Sequence, residues 1–207
     1  MNPASNCTAC RLGQLVVSCP TVDKEGQPCS MCDGSGARLY RRNVLWVDGP
    51  TPNDLLLLGE APGFQEDAEG LPFRPTAPAG RVLRRALDEL NLTPAIDNCT
   101  RCHPPDNKLK GYPDAIVTCT DLWLPTVLTQ VRPKVIVCLG ALAGGTWFPG
   151  FKAMEMQQTA RAVVIAGERY IIVGCLHPAY VARGTDPGAY GLMVASLQRA
   201  AQLVKEV

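Results

Sequence analysis

Residues 55–67 read LLLLGEAPGFQED. Four leucines without polar alternation suit a strand buried on both faces of a parallel sheet. The stretch Gly59-Glu60-Ala61-Pro62-Gly63 cannot continue that strand and predicts a turn. It leaves the Glu60 carboxylate at the strand's C-terminal edge, where open α/β sheets bind their ligands. The turn lacks the Lys-Ser/Thr of a triphosphate-binding loop and the spacing of a dinucleotide fingerprint.

Working outward, strand and helix patterns alternate. A buried strand over 54–59 leads into a Pro/Gly-rich loop, and a helix is expected from about Gly80 to Leu90, with apolar residues at helical spacing. A short strand ends near Asn98. Pro113-Asp114 opens a helix that runs to about Val131 with a kink at Pro125. Arg132-Pro133 stops it, and KVIVCLG (134–140) is a second buried strand. A short helix over 141–148 follows, then a hairpin over 161–174 turning at Gly167. His177-Pro-Ala-Tyr180 is expected as a loop, and a last helix spans about 188–205. This order argues an α/β sandwich around a mainly parallel central sheet. Residues 1–50 show little periodicity and hold five cysteines. They are expected to form a metal-stapled N-terminal segment ahead of an α/β domain over 51–207.

The bulk numbers narrow the class. The chain has 207 residues, enough for one well-buried α/β domain with a small appendage. No apolar run approaches the roughly 20 residues of a membrane helix, and the N-terminus has no signal-peptide pattern. A cytoplasmic, monomeric protein with no membrane contact is expected. With a formal charge of +1, nucleic-acid binding would need a local basic stripe rather than a net field. Ten cysteines are many for a reducing compartment and point to metal or cluster ligation. Three Cys-x2-Cys groups stand out: Cys7/Cys10, Cys29/Cys32 and Cys99/Cys102, with Cys119 after the third. Cys138 and Cys175 lie inside apolar runs and are expected in the core.

Glu60, Asn98 and His177 each sit just past an expected strand. In a parallel sheet all three gather at one edge. An Asn side chain donates and accepts in one plane, which suits the edge of a flat heterocycle. A His can stabilise charge developing on a leaving group, and a Glu can position water or face a cation. Phe73 could stack on a ring or anchor the core. Glu66 and Asp67 are further acids near the turn, or simply partners of a helix dipole.

With these residues in hand, the chain resembles the family 4 (iron–sulfur) uracil-DNA glycosylases over residues 5–12 and about 54–205. The matching stretches are NCTACRL, GEAPGFQEDAEGLPF, Asn98 four residues before Cys102, RCHPPDNK followed by PDAIVTCTDLWL, and HPAYVAR. The resemblance implies a three-layer sandwich of the uracil-DNA glycosylase type. It further implies a [4Fe–4S] cluster on Cys7, Cys10, Cys102 and Cys119, and Glu60 and His177 as the catalytic pair. Asn98 and Phe73 would hold the base, with Gly59, Ala61, Pro62 and Gly63 lining the pocket and Asp67 at its rim. The implied partner is uracil-containing DNA, single- or double-stranded. The implied reaction is base flipping and N-glycosidic hydrolysis.

Departures from the family pattern leave alternatives open. An insertion over about 15–40 carries Cys19, Cys29 and Cys32 and resembles a zinc knuckle. Either Cys7 and Cys10 join Cys102 and Cys119 on iron, or Cys29 and Cys32 do. In the first scheme Cys19, Cys29, Cys32 and Cys99 are left over as ligands for a second metal, zinc. The loop after Phe73 is long and carries Arg74, which bears on base specificity. Arg183 and the helix residues Arg81, Arg84 and Arg85 are the candidate DNA contacts; the helix arginines equally suit a solvated face. A relative acting on another deaminated base, or a binder that does not cut, remains open at this point.

Overall fold

The computed structural model describes residues 2–207. In chain order the elements are α1 (Arg11–Gln14), β1 (Val16–Ser18), β2 (Ala37–Leu39), β3 (Leu55–Gly59), α2 (Phe64–Glu69), α3 (Pro78–Glu89) and β4 (Ala95–Asn98). Two single 3-10 turns follow, then α4 (Pro113–Val131), β5 (Val135–Leu139), α5 (Ala141–Gly144), β6 (Ala160–Ile165), β7 (Glu168–Cys175), α6 (Pro178–Ala182) and α7 (Ala189–Glu206).

Five strands form one sheet in the order β4-β3-β5-β7-β6, and β1 pairs with β2 in a separate ribbon. β4, β3, β5 and β7 run parallel, and β6 closes the edge antiparallel to β7. Every residue of β3, β4 and β5 is buried. Successive side chains point to opposite faces, so the leucine run feeds two cores at once. Leu55 and Leu57 pack with Leu83 and Leu87 of α3 and Met193, Leu197 and Leu203 of α7. Leu56 and Leu58 pack with Leu124, Val127, Leu128 and Val131 of α4. The result is three layers: α3 and α7, the sheet, then α4.

The fold corrects several sequence expectations. Between β3 and the expected Pro/Gly-rich loop lies α2, which sequence reasoning did not place, and its Glu66 carboxylate reaches back to the Gly63 N–H at its start. His177-Pro-Ala-Tyr180 is not a loop but the opening of α6, with His177 as its N-cap. The N-terminal segment contains the β1–β2 ribbon. α4 is continuous through Pro125, which lies on its exposed face. Cys138 and Cys175 are fully buried in the two cores, as expected. Cys99 joins the α4-side core as well, and so leaves the expected second-metal group.

A third cluster ties the N-terminal segment to the region after β4. Ala4, Leu12 and Val44 pack there with Cys102, Leu109 and Ala115, and Cys7 and Cys10 lie against them. The turn leading into that cluster is held by a buried ion pair. Arg101 meets the Asp97 carboxylate through two hydrogen bonds of 2.7 and 2.8 Å, with both side chains at most 3% exposed. The guanidinium also lies 4.3 Å from the Trp46 ring centre. Removing one partner strands a buried charge, which typically costs about 3–5 kcal/mol. Arg101→Ala is therefore expected to lower stability by about that amount in urea unfolding, whereas the exposed Arg169→Ala should cost far less.

Candidate active site

Parallel pairing sets the site. Gly59 at the end of β3 is opposite Asn98 at the end of β4. The ladder runs on past both strands: Cys99 N–H donates to the Gly59 carbonyl and Thr100 N–H to the Glu60 carbonyl, each at 2.9 Å. Glu60 and Asn98 thus leave neighbouring strands at one level. His177 follows β7, two strands away in the same sheet, at the same carboxyl edge.

A cleft of about 430 Å³ opens there. Glu60, Ala61, Pro62, Gly63, His177, Tyr180 and Arg183 line it, together with Glu66, Pro104 and Asn107. Asn98 and Phe73 meet at Gly59. A Cβ at that glycine would run into the Asn98 amide and come within 2.7 Å of the Phe73 ring. The absence of a side chain is what lets the two approach. The Phe73 ring in turn faces the His177 ring, with centres 5.8 Å apart.

Phe73 has a positive φ of 47°, uncommon for an aromatic residue, and is held by two neighbours. Its N–H donates to the Glu66 carboxylate, and its carbonyl accepts from Arg84 Nε at 3.2 Å. Glu66 is therefore a brace for the Phe73 loop. Asp67 is not at the rim: it is buried, and its carboxylate accepts the Arg42 and Asn43 N–H groups at 2.9–3.0 Å. It fastens the end of the N-terminal segment to α2. Asn107 is a cleft residue that sequence reasoning missed; its Oδ1 lies 3.0 Å from His103 Nε2. Its place in HPPDN, between two cysteines, gave no periodic signal.

The side-chain chemistry is specific. Asn98 is 2% exposed, and neither its Oδ1 nor its Nδ2 has a partner among the described residues. A buried, unpaired amide is costly and calls for a ligand. His177 Nδ1 accepts the Ala179 N–H at 3.1 Å, so the ring proton belongs on Nε2. Burial, with Arg183 adding to it, lowers the His177 pKa to about 4. The imidazole is a neutral donor at working pH. Its seat depends on Gly140, at φ +93°, where a Cβ would stand 2.9 Å from His177 Cβ. Burial also raises the Glu60 pKa above its ordinary 4.5, with no neighbouring charge to offset it.

Arg183 lines the cleft and lies 5.4 Å from the Tyr180 ring centre. The helix arginines differ from it. Arg84 binds Asp48 at 3.0 Å and the Phe73 carbonyl, Arg85 pairs with Glu89 at 2.9 Å, and exposed Arg81 reaches the Thr76 carbonyl at 3.1 Å.

Behind the cleft, four cysteines converge. Burial pushes Cys102 to about 12 and Cys119 to about 11, and Cys7 and Cys10 push both upward. Arg41 acts the other way on Cys102 and donates to the Cys7 carbonyl at 2.8 Å. Its Nε is buried without a partner. Four thiols beside a half-satisfied buried guanidinium fit an anionic metal group. Cys29 and Cys32 group instead with Cys19.

The architecture and the cleft place this chain among open-sheet α/β proteins that bind ligands outside the carboxyl ends of parallel strands. A family model described as the uracil DNA glycosylase superfamily matches residues 47–198. The chain belongs to that superfamily. It is 30% identical over 171 residues to a type-4 uracil-DNA glycosylase of Archaeoglobus fulgidus, covering 77% of this chain and 81% of the relative. A type-4 uracil-DNA glycosylase of Saccharolobus solfataricus is 30% identical over 152 residues, 68% of this chain and 67% of its own. The type-4 enzyme of Thermotoga maritima is 26% identical over 188 residues, 89% and 94% of the two chains.

The neutral imidazole has a measurable consequence. Between the ordinary imidazole value of 6.5 and about 4, the unfolded chain takes up a proton that folded His177 refuses. Its contribution to stability is present above pH 6.5 and lost as pH falls through about 4. The urea midpoint of His177→Asn should therefore fall less steeply than that of the unsubstituted chain across this window. Parallel midpoints would remove burial of the neutral ring as the cause.

Proposed function

We propose that this chain is a monofunctional uracil-DNA glycosylase, hydrolysing the N-glycosidic bond of a flipped-out deoxyuridine and leaving an abasic site for base-excision repair. The observation that carries the reading is the buried Asn98 amide, unpartnered among the described residues and meeting Phe73 at Gly59, next to Glu60. One amide plane matches the adjacent acceptor and donor of uracil's pairing edge. The printed names of the relatives supply the same substrate.

Flipping the nucleotide out of the stack costs a few kcal/mol, least from single strands and mismatches. The base enters with Phe73 on its face and Asn98 on its edge. As the bond from the sugar C1′ to uracil N1 lengthens, its electron pair moves onto the base and O2 becomes anionic. His177 Nε2–H donates to that oxygen. Because the imidazole is already neutral, it gives a hydrogen bond without giving up its proton. The sugar is left cationic, and the Glu60 carboxylate faces it and orients a water. The water oxygen bonds to C1′ and its proton passes to Glu60. Uracil leaves as the anion and is protonated by solvent.

Cys7, Cys10, Cys102 and Cys119 hold a [4Fe–4S] cluster in this reading. Bound there, it ties the N-terminal segment to the turn that carries Asn98. The orphaned Arg41 Nε supports a negative group at that place. Ten unpaired cysteines suit a reducing, cytoplasmic setting.

The test is a duplex or single-stranded oligonucleotide with one uracil, incubated with the purified protein and then treated with alkali. Strand breakage at uracil is the expected result. Breakage only at other deaminated bases would point to a different substrate, and retention without breakage to a binder. His177→Ala should lose about 10²–10³ in single-turnover rate while binding of uracil-containing DNA largely survives. Unchanged turnover would take His177 out of the chemistry. Arg183→Ala should weaken binding to all sequences alike and flatten the salt dependence. Arg84→Ala should chiefly lower stability, since its guanidinium is already engaged at Asp48 and Phe73.

A further inference from the structure

The inserted segment holds three cysteines that the reaction does not use. Across residues 19–36 only Cys19 and Cys29 are buried. Its ordered parts are a three-residue antiparallel ribbon, β1 with β2, and an isolated bridge between Val22 and Pro28. A short two-stranded ribbon is at best marginal in water, and no apolar core is present to hold this one. Something else must fix it.

The backbone hydrogen bonds aim the thiols at one point. Cys19 N–H donates to the Gly36 carbonyl at 2.9 Å, Cys29 N–H to Thr21 at 3.0 Å, and Cys32 N–H to Cys29 at 3.1 Å. The sulfurs of Cys19, Cys29 and Cys32 all lie within 4.8 Å of one another, with Cys19 and Cys29 at 3.5 Å. Three thiolates around a tetrahedral zinc, each about 2.3 Å from the metal, stand about 3.8 Å apart. The observed spacing is that of a single ion. No histidine or acid joins the group within the same radius among the described residues. Cys19-Pro-Thr-Val22 repeats the spacing of Cys29-Ser-Met-Cys32, with Val22, 50% exposed, at the sequence position that a fourth cysteine of two such pairs would hold.

We propose that Cys19, Cys29 and Cys32 bind one zinc ion through three thiolates, with the fourth position open to solvent. Soft thiolates in tetrahedral array select zinc over hard cations. Binding displaces one proton from each thiol that is protonated, with no change of oxidation state. The site is separate from the iron ligands and independent of the uracil reading.

The full-length chain, purified anaerobically with zinc supplied, should carry one zinc per chain besides about four irons. Cobalt(II) in place of zinc should give an intense thiolate-to-cobalt charge-transfer band. Cys29→Ser and Cys32→Ser should each lose the zinc and the cobalt band while keeping iron and uracil excision. Val22→Cys should slow zinc loss to a chelator at least tenfold. A zinc-free wild type overturns the proposal. So does zinc retained in both serine variants, or a Cys19–Cys29 disulfide found by mass in the anaerobically purified chain. An unchanged chelator rate in Val22→Cys overturns the open fourth position.

Discussion

The Asp97–Arg101 ion pair is the constraint on which the functional half of this molecule rests. Asp97 lies on β4 immediately before Asn98, so its carboxylate points to the α4 side while the Asn98 amide points to the opposite face, where it meets Phe73 at Gly59. Arg101 clamps that carboxylate from the following turn, accepts the Leu45 N–H on its carbonyl, and sits close enough to Cys119 to favour its thiolate. One buried pair therefore sets three things: where β4 ends, how the N-terminal segment docks, and where Cys102 and Cys119 stand. Buried pairs seldom add much net stability. Here the pair determines direction, sending one residue into a pocket and the next into a core.

The electrostatics of the cleft follow from how little charge surrounds it. His177 is neutral because its surroundings are dry and Arg183 is near, and its tautomer is fixed by the first turn of α6. Glu60 holds its proton more tightly than an exposed glutamate because burial disfavours its charged form. In the proposed reaction, an anion forming on the base would meet a donor that needs no reorganisation, and a cation forming on the sugar would meet the Glu60 carboxylate.

Much of this was legible in the chain. LLLLG reads as a buried parallel strand because burial on both faces removes polar alternation, and Glu60, Asn98 and His177 follow from placing residues just past strands. What stayed hidden depended on partners far away in sequence. Asp67 has the composition of a rim acid but is buried by backbone N–H groups 24 and 25 residues earlier. Cys99 shares a Cys-x2-Cys spacing with Cys102, yet the alternation of an extended chain sends it into the α4-side core. α2 is six residues long, too short for a periodic signal. The β1–β2 ribbon is shorter still, with one residue of each strand half-buried and the others exposed.

The parallel pairing of β3 with β4 has a consequence for how such a chain can vary. Because Gly59 and Asn98 are registered partners, the backbones from which the acid and the amide leave the sheet stay one strand spacing apart, about 4.8 Å. That ruler is a property of the peptide backbone. Loops can lengthen, and a foreign segment can be spliced in ahead of the sheet, without changing the distance. The placing of these two backbones is thereby insulated from changes in the segments around them.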